Sequence, residues 1–229
     1  MTIARPGGFE VTDKALEKAN YKMGSRILDI GCGEGDTVDY LNKMGLKAEG
    51  IDINLAKIDD AKKNFPGINV KFGDGGFLDD YMSYTFDGII AECTLSTMLQ
   101  PDEALHEAYC VLKKGGRLII TDYYEADPDP QQMKAIALEA GRRAELPHNE
   151  GDCEGGTPSH FTNFCFEGAF FKEPLIRMIE EELGLHVLSF EDAGIEIGAD
   201  DIYTNVKTET NGKKRKLGYF VLVAQKAIV

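Results

Sequence analysis

Short apolar runs alternate with segments of helical periodicity over the first half of the chain. The apolar runs lie near residues 26–30, 47–51, 69–72, 86–91 and 117–123. The helical segments lie near residues 12–22, 36–44, 55–64 and 101–112. Strands that alternate with helices in this way are typical of a parallel sheet with helices on both faces. The pattern therefore predicts a doubly wound α/β fold.

The pattern changes after Tyr124, where two prolines at 128 and 130 interrupt it. Further helices are predicted at 131–145 and 173–183, and further strands at about 186–191 and 217–225. Segments that leave the carboxyl ends of strands cover the ligand crevice in open α/β sheets. We therefore interpret residues 124–172 as a small lid inserted after the fifth strand. We interpret residues 1–22 as an N-terminal arm and helix, and we expect residues 1–229 to form one domain.

A glycine-rich turn joins the first predicted strand to the helix that follows. Its glycines are Gly31, Gly33 and Gly35, and Asp36 stands where the nicotinamide and flavin fingerprint needs a third glycine. A negative charge at a helix start repels a diphosphate. Asp52 ends the second apolar run, where a carboxylate can accept both ribose hydroxyls. These residues predict a pocket for a nucleoside cofactor without phosphates and disfavour a nicotinamide-dependent oxidoreductase.

The same residues resemble the class I S-adenosylmethionine-dependent methyltransferases, in particular the small-molecule branch of ubiquinone and menaquinone methyltransferases. The likeness covers about residues 5–123, including strand signatures at 85–91 and 111–120. It implies a Rossmann-like, mostly parallel seven-stranded sheet with an antiparallel last strand. It also implies S-adenosyl-L-methionine as cofactor, S-adenosyl-L-homocysteine as product, and a small-molecule acceptor methylated by in-line attack.

The resemblance assigns roles to individual residues. Asp29 and the glycine turn match the family's first motif. Asp52 matches the acidic residue that holds the ribose, and Asp74 the one that holds the adenine amino group. The expected cofactor-binding set is Asp29, Gly31, Gly33, Asp52, Ile53, Asp74, Gly75 and Glu92.

The segment after the fourth strand bears on the acceptor. Residues 92–96 stand where relatives that methylate amide or base nitrogens carry Asn-Pro-Pro-Tyr, and no such tetrapeptide is present. This argues against a nucleobase or glutamine nitrogen as acceptor. A hydroxyl or carbon acid would need a base, for which Glu92, His148 and His160 are the catalytic candidates. A thiol or metalloid acceptor would need none, and the identity of the acceptor stays open.

The predicted lid carries thiol, imidazole and aromatic side chains. Its histidines and cysteines at 148, 153, 160 and 165 are spaced more widely than the tight pairs of zinc sites, so we expect no bound metal. Phenylalanines could form either a pocket wall or part of the core, because pockets and cores share composition. They are Phe161, Phe164, Phe166, Phe170 and Phe171.

The amino-acid composition limits the classes of molecule that the protein is expected to bind. The 39 acidic residues outnumber the 25 basic ones, and the net charge of −14 repels nucleic acid and anionic lipid. The basic run 213–216 is expected to be a solvated hairpin tip. Five scattered cysteines and the absence of a signal-peptide pattern favour a reduced, cytoplasmic protein without a membrane span. The sequence does not determine the oligomeric state.

Two further expectations concern the N-terminal arm and turnover. Gly7 and Gly8 precede a helix for which Thr12 is a suitable N-cap. These glycines favour a simple turn, and the alternative hypothesis is that the arm folds over the cofactor. A protein that binds S-adenosylmethionine as a sensor or scaffold, without turnover, needs the same pocket as an enzyme. That function therefore stays open as an alternative.

Overall fold

The computed structural model describes residues 5–131, 133, 134, 138, 164–197, 206–210 and 212–228. The helices are α1 (Gly8–Ala19), α2 (Asp36–Lys43), α3 (Leu55–Asn64), α4 (Pro101–Val111) and α5 (Lys172–Arg177). The strands of the first half are β1 (Arg26–Ile30), β2 (Lys47–Asp52), β3 (Val70–Phe72), β4 (Phe86–Glu92) and β5 (Leu112–Glu125). Those of the second half are β6 (Cys165–Phe166), β7 (Ala169–Phe170), β8 (Leu185–Asp192), β9 (Glu209–Thr210), β10 (Lys213–Lys214) and β11 (Leu217–Lys226).

In the described residues the central sheet has nine strands, seven of which lie side by side in the order β3-β2-β1-β4-β5-β11-β8. Strands β1 to β5 pair in parallel, and β11 is antiparallel to both of its neighbours. The short strands β6 and β7 join the edge of β5 at Tyr124, and β9 and β10 form a separate hairpin. The order reverses between β1 and β4, which is where ligands bind in such sheets. The predicted fold class is confirmed.

The sheet is covered on both faces, as the apolar runs predict. Leu28, Ile30 and Ile120 face the cluster that contains residues of α4 and α5, whereas their neighbours Ile27 and Ile119 face the cluster under α1 and α2. Successive strand residues point to opposite faces, so strands buried on both sides read as continuous apolar runs.

The N-terminal helix begins earlier than predicted. It starts at Gly8, with Gly7 as a left-handed N-cap, so Thr12 lies inside the helix and the prediction that Thr12 caps it was wrong. The hydroxyl of Thr12 instead donates to Glu92 across 2.8 Å. The side chain is used for a tertiary contact, which local sequence rules do not reveal.

The described ends of the predicted lid belong to the core. Residues 124 and 125 continue β5, while Phe164, Phe170 and Phe171 are buried. For these three phenylalanines the structure supports core packing. Phe161, His148 and His160 lie outside the described residues.

The basic run that was expected to be solvated contains a buried residue. Lys213 and Lys214 are exposed, but the Nε of Arg215 donates to Glu125 across 2.6 Å. The same guanidinium donates to the carbonyls of Phe166, Glu167 and Lys207. The expectation was therefore wrong for Arg215, which connects the end of β5 to two chain segments distant in sequence.

Arg215→Lys is expected to lower the free energy of unfolding by about 2 kcal/mol, because lysine keeps the charge but cannot reach all four acceptors. Urea unfolding followed by circular dichroism measures the change. The control is Lys214→Arg, which exchanges the same two residue types at the exposed neighbouring position. Equal stabilities of the two variants would contradict this account of Arg215.

None of the helices in the described part of the chain has the length and apolarity that a bilayer span requires.

Candidate cofactor-binding crevice

A crevice of about 950 Å³ opens at the carboxyl ends of β1, β2 and β4. Five of the eight expected cofactor-binding residues line it, namely Gly31, Asp52, Ile53, Asp74 and Gly75. The other three, Asp29, Gly33 and Glu92, lie beside or beneath it in the same strand ends and turn. The strand ends that the sequence singles out therefore meet at one crevice, and the role of these residues as cofactor ligands stays a prediction.

Asp52 is held in one orientation by two backbone amides. Its Oδ2 accepts from the N–H of Gly33 at 2.9 Å, and its Oδ1 accepts from the N–H of Asn54 at 2.8 Å. Asn54 in turn caps α3, where its side chain accepts from the amides of Ala56 and Lys57. A carboxylate fixed in this way can still accept hydrogen bonds from a ligand, because each oxygen has two lone pairs.

Glycine is favoured at positions 31 and 33 of the turn for different physical reasons. Both Gly31 and Gly33 have positive φ, at 74° and 53°. A Cβ at Gly31 would overlap the Oγ1 of Thr94, so this glycine is required by packing within the protein. A Cβ at Gly33 would meet only the Cδ of Lys57 at 4.0 Å. Space is therefore open beside Gly33, and glycine is favoured there by its left-handed backbone rather than by packing.

Glu92 lies at the end of β4 and is held by its own chain. Thr12 donates to its Oε1 and Thr37 to its Oε2, each at 2.8 Å. Arg5 forms an ion pair with Oε2 at 3.2 Å, and the Glu92 side chain is 4% exposed. Both oxygens are therefore engaged, and the network ties the arm, α1, α2 and β4 together. The role of Glu92 as a base or cofactor ligand stays a prediction.

Asp29 is buried behind the glycine turn. Burial, with a further contribution from the nearby Glu92, raises the pKa of Asp29 well above its usual range, while Arg5 opposes this shift. The guanidinium of Arg5 forms its ion pair with Glu92 and acts on Asp29 only through its charge at longer range. The raised pKa favours the neutral, protonated form of Asp29, and Glu92 is paired with Arg5, so neither group places an uncompensated charge beside the crevice.

Cys93 contributes a neutral thiol to the crevice wall. Burial raises the pKa of Cys93, and its Sγ lies 3.1 Å from the hydroxyl of Tyr219. Since the thiolate is the reactive form of cysteine, this thiol does not act as a nucleophile near neutral pH. Sequence reasoning gave Cys93 no role, and its left-handed backbone, with φ of 51°, becomes visible only in the structure.

Asp122 supports the crevice wall from behind. The Oγ of Ser96 donates to its Oδ1 at 2.6 Å and the N–H of Ser96 to its Oδ2 at 3.1 Å. Ser96 lies in the short 3₁₀ turn Leu95–Thr97. The residues that flank this turn, Thr94 and Met98, line the crevice. Burial raises the pKa of Asp122 to about 6, although its hydrogen bonds to Ser96 and Tyr123 oppose the shift.

Asp122→Asn is expected to remove a pH dependence of stability. The folded carboxyl holds its proton up to pH about 6 and the unfolded one only to about 3.8, so the folded state binds more protons between these values. The free energy of unfolding therefore falls as pH rises through that window, by about 3 kcal/mol from this group. Urea unfolding at pH 4 and 7 should give a larger difference between wild type and variant at pH 4.

The matched control is Asp127→Asn, an exposed position close in sequence. Its stability difference from the wild type should not change with pH. A pH-independent difference for Asp122→Asn would contradict a raised pKa at this position.

Among the residues that the structure describes, no group of three or more histidine, cysteine or carboxylate side chains is arranged to hold a metal ion. Three of the lid residues weighed for such a site, His148, Cys153 and His160, lie outside that part of the chain.

A family model described as "Methyltransferase domain" matches residues 21–162. Phosphoethanolamine N-methyltransferase 3 of Arabidopsis thaliana is 29% identical over 136 residues, which cover 58% of this chain and 28% of that protein. The S-adenosyl-L-methionine-dependent Diels-Alderase iccD of Talaromyces variabilis is 30% identical over 167 residues, which cover 62% of this chain and 56% of that protein. The matched region thus spans about a quarter to a half of these relatives.

Solved structures share the fold. A SAM-dependent methyltransferase of Methanosarcina mazei superposes with a TM-score of 0.59 at 21% identity, covering 91% of this chain and 95% of that chain. A sequence identity this low is evidence for a similar fold alone.

Proposed function

Because the chain belongs to the methyltransferase domain family, as a class I S-adenosylmethionine-dependent member, we propose that it transfers the methyl group of S-adenosylmethionine to a small-molecule acceptor. The observation that carries this proposal is the Asp52 carboxylate, oriented by the amides of Gly33 and Asn54 at the crevice. That carboxylate fits two ribose hydroxyls, and the space beside Gly33 fits the close approach of a nucleoside.

The residues present fit the cofactor in charge as well as in shape. The helix after the glycine turn carries Asp36 and Asp39 in its first turn, which disfavours a diphosphate at its N-terminus. These charges suit a sulfonium cation, and they argue against a nicotinamide-dependent oxidoreductase.

When bound, the cofactor supplies an activated methyl group on a positively charged sulfur, so the protein needs no covalent nucleophile. The chain's own residues bind and orient. Asp52 would hold the ribose, Asp74 the adenine amino group, and the Gly31–Gly33 turn the rest of the nucleoside. Cys93 and Thr94 would line the crevice wall and exclude water from it.

The proposal is tested by incubating the protein with methyl-labelled S-adenosylmethionine, metabolite extract and total RNA in separate reactions. Mass spectrometry should find the label in a small molecule. Label in RNA would contradict the small-molecule acceptor, which the net charge of −14 also disfavours.

A second candidate is a cofactor-binding protein without methyl transfer, either a sensor or an enzyme of another class. Two observations favour it. Glu92 is buried and ion-paired with Arg5, which disfavours its action as a base. The chain is also similar to a protein named as a Diels-Alderase. Calorimetric binding of S-adenosylhomocysteine without any labelled product would support this candidate over the methyltransferase.

A further inference from the structure

Two carboxylates face each other across Gly76 at one end of the crevice. The Oδ1 of Asp74 accepts from the N–H of Gly76 at 2.9 Å. A Cβ built on Gly76 would lie 3.4 Å from that oxygen and 4.0 Å from the Oε2 of Glu103. Both side chains line the crevice, although Asp74 lies in the loop after β3, Glu103 lies in the first turn of α4, and they are 29 positions apart in sequence.

Neither carboxylate has a basic partner among the described residues. The Oε1 of Glu103 accepts from the amide of Gln100 at 2.6 Å, and its Oε2 accepts no hydrogen bond from the residues that the structure describes. Gln100 therefore fixes the side chain without neutralising it. Carboxylates that flank one glycine repel each other, and a ligand that donates a hydrogen bond to each would relieve that repulsion.

The walls at this end are apolar and open to solvent. Phe77 is 68% exposed, Leu99 82% and Ile53 66%, and all three line the crevice. Large apolar side chains that cluster around a concave surface are typical of ligand sites. A flat aromatic ring that carries an amino group matches both the walls and the two acceptors.

We propose that Glu103 is a specificity-determining residue that acts with Asp74 to select a 6-aminopurine over a 6-oxopurine. This inference rests on the proposed function, because it concerns the base of the same cofactor. An exocyclic amino group has two N–H donors, one for each carboxylate. A 6-oxo group offers only a lone-pair oxygen, which two carboxylates repel. Glu103 therefore rejects the oxo analogue as well as binding the amino form.

The test compares calorimetric binding of S-adenosyl-L-homocysteine and S-inosyl-L-homocysteine, which differ at this position of the base. We expect the wild-type protein to prefer the adenosyl compound by at least about 100-fold, since a site built for an N–H donor strongly rejects an analogue without it. In Glu103→Gln, the adenosyl compound should bind about tenfold more weakly. The inosyl compound should bind more tightly, because the glutamine amide can donate to its oxygen.

Asp79→Asn is the matched control, since it removes one charge from an exposed position in the loop after Asp74. The control should leave the ratio of the two affinities unchanged. Melting temperatures of both variants should equal that of the wild type, because Glu103 accepts only one hydrogen bond from the protein in the described residues.

Three results would overturn the inference. Similar binding of both compounds by the wild type would overturn it while leaving the proposed function intact. An unchanged ratio in Glu103→Gln would do the same. Failure of the wild type to bind either compound would overturn the proposed function, and this inference with it.

Discussion

Asp52→Asn is expected to weaken the binding of S-adenosylhomocysteine about 100-fold. The substitution removes the charge that strengthens the hydrogen bonds to the ribose hydroxyls, each worth roughly 1.5–3 kcal/mol when the acceptor is ionised. It also places an amide N–H₂ opposite the N–H of either Gly33 or Asn54, because asparagine has one acceptor oxygen where Asp52 uses two. The orientation of the glycine turn then changes as well. Isothermal titration of the purified variant measures the loss.

Asp59→Asn, on the exposed face of α3, is the control for this substitution. It removes the same charge without touching the crevice and should bind like the wild type. A fall of less than about threefold for Asp52→Asn would mean that this carboxylate does not hold the ligand. The melting temperature of Asp52→Asn separates lost binding from lost folding.

Glu92→Gln is expected to lower the free energy of unfolding by about 3 kcal/mol. The substitution leaves the guanidinium of Arg5, which is 8% exposed, without its carboxylate partner. Removing one partner of a buried ion pair is strongly destabilising, because the other charge stays buried and unpaired. The Nε of Arg5 already has no hydrogen-bond partner among the described residues. Urea unfolding gives the change directly.

The comparison for Glu92 is Glu49→Gln. Glu49 pairs with Arg26, whose side chain is 47% exposed, so its loss should cost less than about 1 kcal/mol. Equal losses of stability in the two variants would contradict the role of Glu92 as the partner of a buried charge. In the double variant Arg5→Met with Glu92→Gln, part of the stability should return, because no unpaired buried charge remains.

The parts of the fold that depend on local pattern were predictable from sequence. Helix α3 has the predicted bounds, since Asn54 supplies an N-cap and the apolar positions recur at helical spacing. The start of α1 was not predictable, because Gly7 begins the helix with a left-handed backbone and without a side-chain cap. The last helix was predicted over 173–183. In the structure the α-helix ends at Arg177, and a π-helix follows it over Met178–Glu182.

In the crevice, too, features that are local in sequence were predictable and tertiary contacts were not. The positions of Asp52 and Asp74 follow from strand ends, which are local in sequence, so spacing and resemblance locate both. The partners of Glu92 come from positions 5, 12 and 37, which only the tertiary structure brings together. Arg215 was misjudged for the same reason, because a run of charges does not indicate which member reaches a buried carboxylate.

A crystal structure of the protein grown with S-adenosylhomocysteine tests the central claim most directly. We expect density for the ligand in the crevice between β1, β2 and β4, with its ribose hydroxyls within hydrogen-bonding distance of Asp52 and its adenine next to Asp74. Density for the ligand elsewhere on the protein, or an empty crevice at saturating ligand, would contradict it.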